Sequence, residues 1–193
     1  MSKHAAATTV SPELTNLHHY EELDARPRLR GRIHLGAAFV SVAALAWLVG
    51  VAATPRAELA AWVYGLSAIA CYATSGIYHV FARSPVARRR WRQADHAMIY
   101  VLIAGTATPM YLLAASGMWR WVMFGLMWAG AGVGITLKLV SIERFRVAGG
   151  VLYIGLGWMG LALIPNFWDR PRLLMLVVVA GVTYTVGAVL FAQ

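Results

Sequence analysis

The stretch IHLGAAFVSVAALAWLVGVAA, Ile33 to Ala53, decides the fold. It runs for 21 residues without Asp, Glu, Lys or Arg and does not alternate apolar with polar positions. A bilayer core about 30 Å thick needs roughly 20 apolar residues wound as a helix. Barrel strands are shorter and alternate, and open sheet edges cannot sit in lipid. Comparable runs follow at about 57–82, 97–115, 119–137, 147–164 and 173–192. They carry almost no charge, and Glu58 sits at the mouth of the second. The pattern predicts an all-α, polytopic transmembrane helix bundle in one domain, residues 31–193, behind a polar tail, residues 1–30.

Composition agrees. Of 193 residues, 60% are hydrophobic and 13% charged, and the mean hydropathy is +0.61. A soluble domain is about half apolar and a quarter charged. The first 30 residues hold no apolar h-region, so no cleavable signal peptide is expected. Within this tail, His18–His19 has two readings, a metal ligand pair or part of a solvated, mobile segment. Cys71 is the only cysteine, which excludes an intrachain disulfide and a cysteine zinc cluster.

The net charge of +9 would suit nucleic acid, but its placement argues against such a partner. Arg26, Arg28, Arg30 and Arg32 precede the first span. Arg83, Arg88, Arg89, Arg90 and Arg92 fill the loop before the third, and Lys138, Arg144 and Arg146 precede the fifth. The other loops hold only Arg56, Arg120, Arg170 and Arg172. Cytoplasmic loops collect Lys and Arg, so a cytoplasmic N-terminus in the cell (inner) membrane is expected. The basic loops would lie against anionic lipid head groups.

Gly155, Gly157 and Gly160 match G-x-G-x-x-G. A dinucleotide site needs that motif after a strand, whereas here it sits within an apolar span. Close helix packing is the expected role, as for Gly130 and Gly134. Trp62, Trp91, Trp119, Trp121 and Trp168 suit an interfacial aromatic belt. Pro109, in mid-span, predicts a kink.

Ionisable groups inside a membrane are costly and usually face the bundle interior. Tyr72, Ser75 and His79 share one helix face at the end of span two. Asp95 and His96 open span three across the basic loop, with Thr106 three turns on and on nearly the same face as Asp95. His34 opens span one on the same side. His96 points about 100° away from Asp95, so both cannot be central. An imidazole, a carboxylate and a hydroxyl converge at one depth. Imidazole is the commonest metal ligand, and a carboxylate can orient a ligand or hold a metal-bound water. The plainer reading is an interfacial histidine beside an aspartate N-cap. The residues alone leave both open.

"PRLRGRIH" before span one, "SGIYH" ending span two and "ADHAMIYVLIAGTATP" in span three resemble the hemolysin III family. So do "YIGLGWM" and "AGVTYTVGAVLFA" further on. That family belongs with the progestin and adipoQ receptors, and alkaline ceramidases are distant relatives. The resemblance runs from about Pro27 to the end. It implies a seven-helix fold with the N-terminus inside, and a zinc ion held by one histidine of helix two and an H-x-x-x-H pair of helix seven. Carried over by residue, it makes His79 a zinc ligand, Asp95 the group that positions or deprotonates the zinc-bound water, and Ser75 a supporting hydrogen-bond partner.

No histidine follows His96, and the sequence reads to Gln193 in or just after span six. The expectation is six spans of a seven-helix fold, with two histidine ligands missing. Truncation, loss of the metal, or a helix from a partner chain would each explain it. The resemblance implies a zinc-dependent membrane hydrolase acting on a lipid-like amide substrate. The alternative is a non-enzymatic receptor-like or membrane-homeostasis protein. Cytolysis is disfavoured, because a secreted pore-former needs amphipathic segments.

Overall fold

A computed structural model describes residues 28–169 and 171–192. The tail pair His18–His19 lies outside the described residues. The elements are α1 (Arg28–Gly50), α2 (Pro55–Val80), α3 (Pro85–Ala114), α4 (Gly117–Val140) and α5 (Arg146–Trp158). A 3-10 turn (Met159–Leu163), α6 (Ile164–Phe167) and α7 (Pro171–Ala192) follow. The described residues include no strand, so the fold is all-helical as the apolar runs require.

Among the described residues, five segments are long and apolar enough to cross a bilayer: Arg28–Gly50, Pro55–Val80, Pro85–Ala114, Gly117–Val140 and Arg146–Asn166. A shorter apolar stretch, Leu174–Gly187, lies in α7 where the sixth span is expected. The outer faces expose Phe39, Trp47, Val133 and Val151, which suits lipid rather than water.

Two helix starts share one device. Thr54 and Ser84 are N-caps whose hydroxyls accept from Ala57 N (3.1 Å) and Ala87 N (3.2 Å). Each is followed by a proline at the first helical position, where a missing N–H costs nothing. This corrects the reading of residues 83–92 as a loop. α3 starts at Pro85, so Arg88–Arg92 lie on helix and Asp95 lies ten residues past that start. Ser84, not Asp95, is the N-cap.

The fifth span is also not one uninterrupted helix. Pro165 has no N–H to continue the α-helical ladder, and the chain tightens into 3-10 geometry just before it. At the turn between α3 and α4, Gly117 has φ +55°, a left-handed conformation that glycine adopts without steric cost.

α3 is the central helix. Its stripe of Tyr100, Ala104, Ala107, Tyr111 and Ala115 packs on Met123, Met127 and Ala131 of α4 and on Leu156 and Leu163. Thr106 is exposed; the buried hydroxyl is Thr108, which donates to Ala104 O (2.7 Å) and accepts from Trp128 Nε1 (3.1 Å). The last carbonyls of α3 are taken up by Arg120, 2.6 Å from Ala115 O, and by Asn166, 3.2 Å from Ala114 O.

Small residues bring the helices together, as membrane packing demands. A Cβ at Gly31 would lie 2.7 Å from both His79 Cβ and Val80 Cγ2, so α1 crosses α2 closely at the basic end. Gly130 meets Leu156, Gly134 meets Tyr100, and Gly157 meets Tyr184. Gly155 and Gly157 lie in α5 and Gly160 in the 3-10 turn, with no strand before them among the described residues. The G-x-G-x-x-G match is therefore part of a helical span.

Candidate functional site

The basic ends of α1 to α5 enclose a cavity of about 750 Å³. Ser75, His79 and Asp95, the three residues singled out from sequence, all line it. So do His34 and Tyr72 from the same stripe, and His96. The structure thus puts His96 on the cavity wall together with Asp95, although the two diverge along α3.

Each side chain has a local reason for its place. Ser75 and His79 fall on the face of α2 that meets α1 and are 5% and 8% exposed. Gly31 leaves the room that the His79 side chain needs. His34 Nδ1 shares a 2.8 Å hydrogen bond with Ser75 Oγ, and its ring meets Tyr72 edge-on, with centroids 5.7 Å apart. His79 lies tilted against the Tyr78 ring at 4.7 Å. His96 Nδ1 donates to Arg92 O at 2.9 Å, which leaves Nε2 as the acceptor nitrogen of the neutral ring.

The far wall comes from residues that the sequence reading did not connect with the site. Tyr100 donates to Gly149 O at 2.8 Å and tethers α5 to α3. Tyr153 is edge-on to Tyr100 and stacks on Tyr184 at 4.6 Å. Lys138 and Arg146 add cations, and Ile99, Leu102 and Ile154 add apolar surface. Two latches join α3 to the end of α4 and the turn after it. Gln93 donates to Leu139 O at 2.9 Å, and Arg92 pairs with Glu143 at 3.0 Å. Lys138 had a sequence signal. The buried α4 positions Met123, Met127, Ala131 and Gly134 recur at helical spacing, and Lys138 is the next step on that stripe.

A catalytic zinc takes three protein ligands plus water. Among the described residues, no three His, Cys, Asp or Glu side chains come together closely enough to hold a metal ion. His34 and His96 each commit Nδ1 to a neighbour. The donors described here therefore do not complete a zinc site.

The His34–Ser75 bond makes a direct prediction. His34→Ala leaves a buried hydroxyl unsatisfied, at a cost of about 1–3 kcal/mol. For a chain of this size that is roughly 2–12 °C in unfolding midpoint. Adding Ser75→Ala should then cost little more in the same thermal melt, because the two changes remove one shared interaction. Fully additive losses would count against the bond.

Comparison with known proteins agrees with the architecture. Residues 24–193 match the family described as Haemolysin-III related. Hemolysin-3 of Bacillus cereus is 32% identical over 140 residues, covering 72% of this chain and 64% of that protein. The Hemolysin-3 homolog of Bacillus subtilis (strain 168) is 28% identical over 131 residues, covering 67% and 61%. The matched stretch thus spans less than two thirds of either relative. No solved structure matches the chain. A family match across nearly the whole chain, on a bundle of membrane-spanning helices with a polar cavity at its basic end, makes this protein a member of the hemolysin III family.

Proposed function

We propose that the chain is a membrane-embedded hydrolase of lipid-like amides, seated in the cell (inner) membrane with its basic end and N-terminus toward the cytoplasm. The observation that carries the reading is the cavity wall on which Ser75, His79 and Asp95 meet beside apolar surface from Ile99, Leu102 and Ile154. Such a cavity suits an amphiphile, whose chain lies on the apolar side and whose amide faces the polar wall.

In this reading Asp95 accepts the proton of a water as its oxygen adds to the amide carbonyl. The C–N bond then breaks, the amine leaves with a proton, and a carboxylate remains. When His34 carries its proton on Nδ1, Ser75 accepts that hydrogen bond and its own hydrogen is available to the carbonyl oxygen. The resemblance also makes His79 a zinc ligand. Zinc there would polarise the carbonyl or activate the water, but it would need donors beyond those described. No step of the cleavage passes through it.

The same shortage of donors favours a second reading, a non-enzymatic receptor-like or membrane-homeostasis protein that binds the amphiphile without cleaving it. The relatives' name, Hemolysin-3, adds cytolysis; lysis of red cells by the purified protein would favour that reading instead.

The deciding experiment reconstitutes the chain in liposomes with a fluorescent N-acyl amphiphile and follows the released carboxylate. Release above that of empty liposomes, lost in Asp95→Asn, is expected; no release by the wild type would favour the second reading.

A further inference from the structure

We infer that the cavity seats the anionic head group, a phosphate or a carboxylate, of an amphiphile, and that Lys138 is its anchor. The inference rests on the amphiphile-binding part of the proposed function and adds the charge of the ligand.

Lys138 lies in the last turn of α4 and lines the cavity. It is half-buried, held inward on the packed stripe that includes Ala131 and Gly134. Its ammonium lies 2.8 Å from where a Cβ at position 149 would be, with Tyr100 Oη at 3.0 Å from the same point. Glycine at 149 therefore leaves the space that the lysine tip occupies.

The cavity's charges are uneven. Arg30, Arg92, Lys138 and Arg146 line it, against Asp95 and Glu143. Glu143 pairs with Arg92 at 3.0 Å. Among the described residues, Lys138 has no carboxylate at ion-pair distance; the charge of Glu143 reaches it, but that carboxylate is already paired with Arg92. An ammonium withdrawn from water is costly unless an anion meets it. An ordinary end-of-helix lysine avoids the cost by extending its tip into water, but this one points across the cavity to α5. A phosphate or carboxylate entering from the lipid would meet Lys138, with Arg146 and Arg30 also lining the cavity. Its chain would lie along Ile99, Leu102 and Ile154.

The test measures binding to the whole chain in zwitterionic nanodiscs, using three amphiphiles of equal chain length. Lysophosphatidylglycerol carries phosphate, a fatty acid carries carboxylate, and lysophosphatidylcholine is the zwitterionic control. Both anionic ligands are expected to bind at least tenfold tighter than the control. Preference for only one of them would identify which anion the site takes; equal affinity for all three would overturn the proposal. Lys138→Met should bring the preference close to unity. Gly149→Ala should weaken it several-fold with every charge retained, since its methyl takes the ammonium's place; because the methyl also crowds the buried Tyr100 hydroxyl at 3.0 Å, its melt is recorded alongside, and Lys138→Met carries the assignment. Arg89→Met removes the same charge from an exposed position outside the cavity and should leave the preference intact. An equal loss in Arg89→Met, or an intact preference in Lys138→Met, would overturn the assignment in favour of general surface attraction. Amide release is assayed separately, so tight anionic binding without cleavage would count against the hydrolase and not against this site.

Discussion

Replacing Gly105 with alanine is expected to lower the unfolding midpoint by roughly 4–8 °C, about 2 kcal/mol for a chain of this size. A Cβ at 105 would collide with the Cβ and Oγ of Ser67 on α2, with Val63 O 3.4 Å away. Ser67 cannot swing clear cheaply. Its Cβ is fixed to the backbone, and its hydroxyl donates to Val63 O at 2.6 Å. The helices themselves must separate, so α2 and α3 lose contact along their length and the wall holding Ser75 and Asp95 opens. The informative control is Ser67→Gly in the alanine background, which removes the colliding atoms and should recover most of the loss. A melt unchanged by Gly105→Ala, or no recovery in the double variant, would show that the crossing is looser than described.

Asp95→Asn is expected to reduce amide turnover by about 10²- to 10⁴-fold, the usual contribution of a positioned general base. The substitution keeps the size and shape of the side chain but removes its charge and replaces one acceptor oxygen by an NH2 group, so it can no longer take a proton at neutral pH. The loss should fall on kcat, because the cations around the cavity and its apolar surface are untouched. A variant with full turnover would exclude Asp95 as the base. A variant with raised KM and unchanged kcat would make Asp95 a binding residue rather than the base.

The helices and the polar wall were both readable from the sequence, for different reasons. Hydropathy over 20 residues locates a span because the bilayer imposes that length. The i, i+3 and i, i+4 spacing of Tyr72, Ser75 and His79 located one wall because it is a property of a single helix. Hydropathy failed at α3. The arginines at 88–90 and 92 look like loop to an apolar window, although Ser84–Pro85 repeats the Thr54–Pro55 start signal. Thr106 went wrong because a face inferred over eleven residues says nothing of which neighbour covers it; α3 buries Ala104, Ala107 and Thr108 and turns Thr106 outward. The far wall, Tyr100, Lys138, Gly149 and Tyr153, depends on how α4 and α5 dock on α3. No local pattern encodes the Tyr100–Gly149 bond, which joins positions 49 residues apart.

The length of α3 has a consequence of its own. Its 30 residues extend about 45 Å, against roughly 30 Å of hydrocarbon. Standing upright, the helix would hold some ten residues proud of the apolar layer, fewer if it tilts, and the arginine-bearing turns are the ones suited to that place. Guanidinium groups held at the lipid phosphates then act as a depth gauge for everything rigidly attached beyond them. Asp95 comes three residues after Arg92 on the same rod, so its immersion is set by where the arginines rest. Adding or removing a turn between them would leave the fold's contacts in sequence but move the carboxylate to a different level of the membrane.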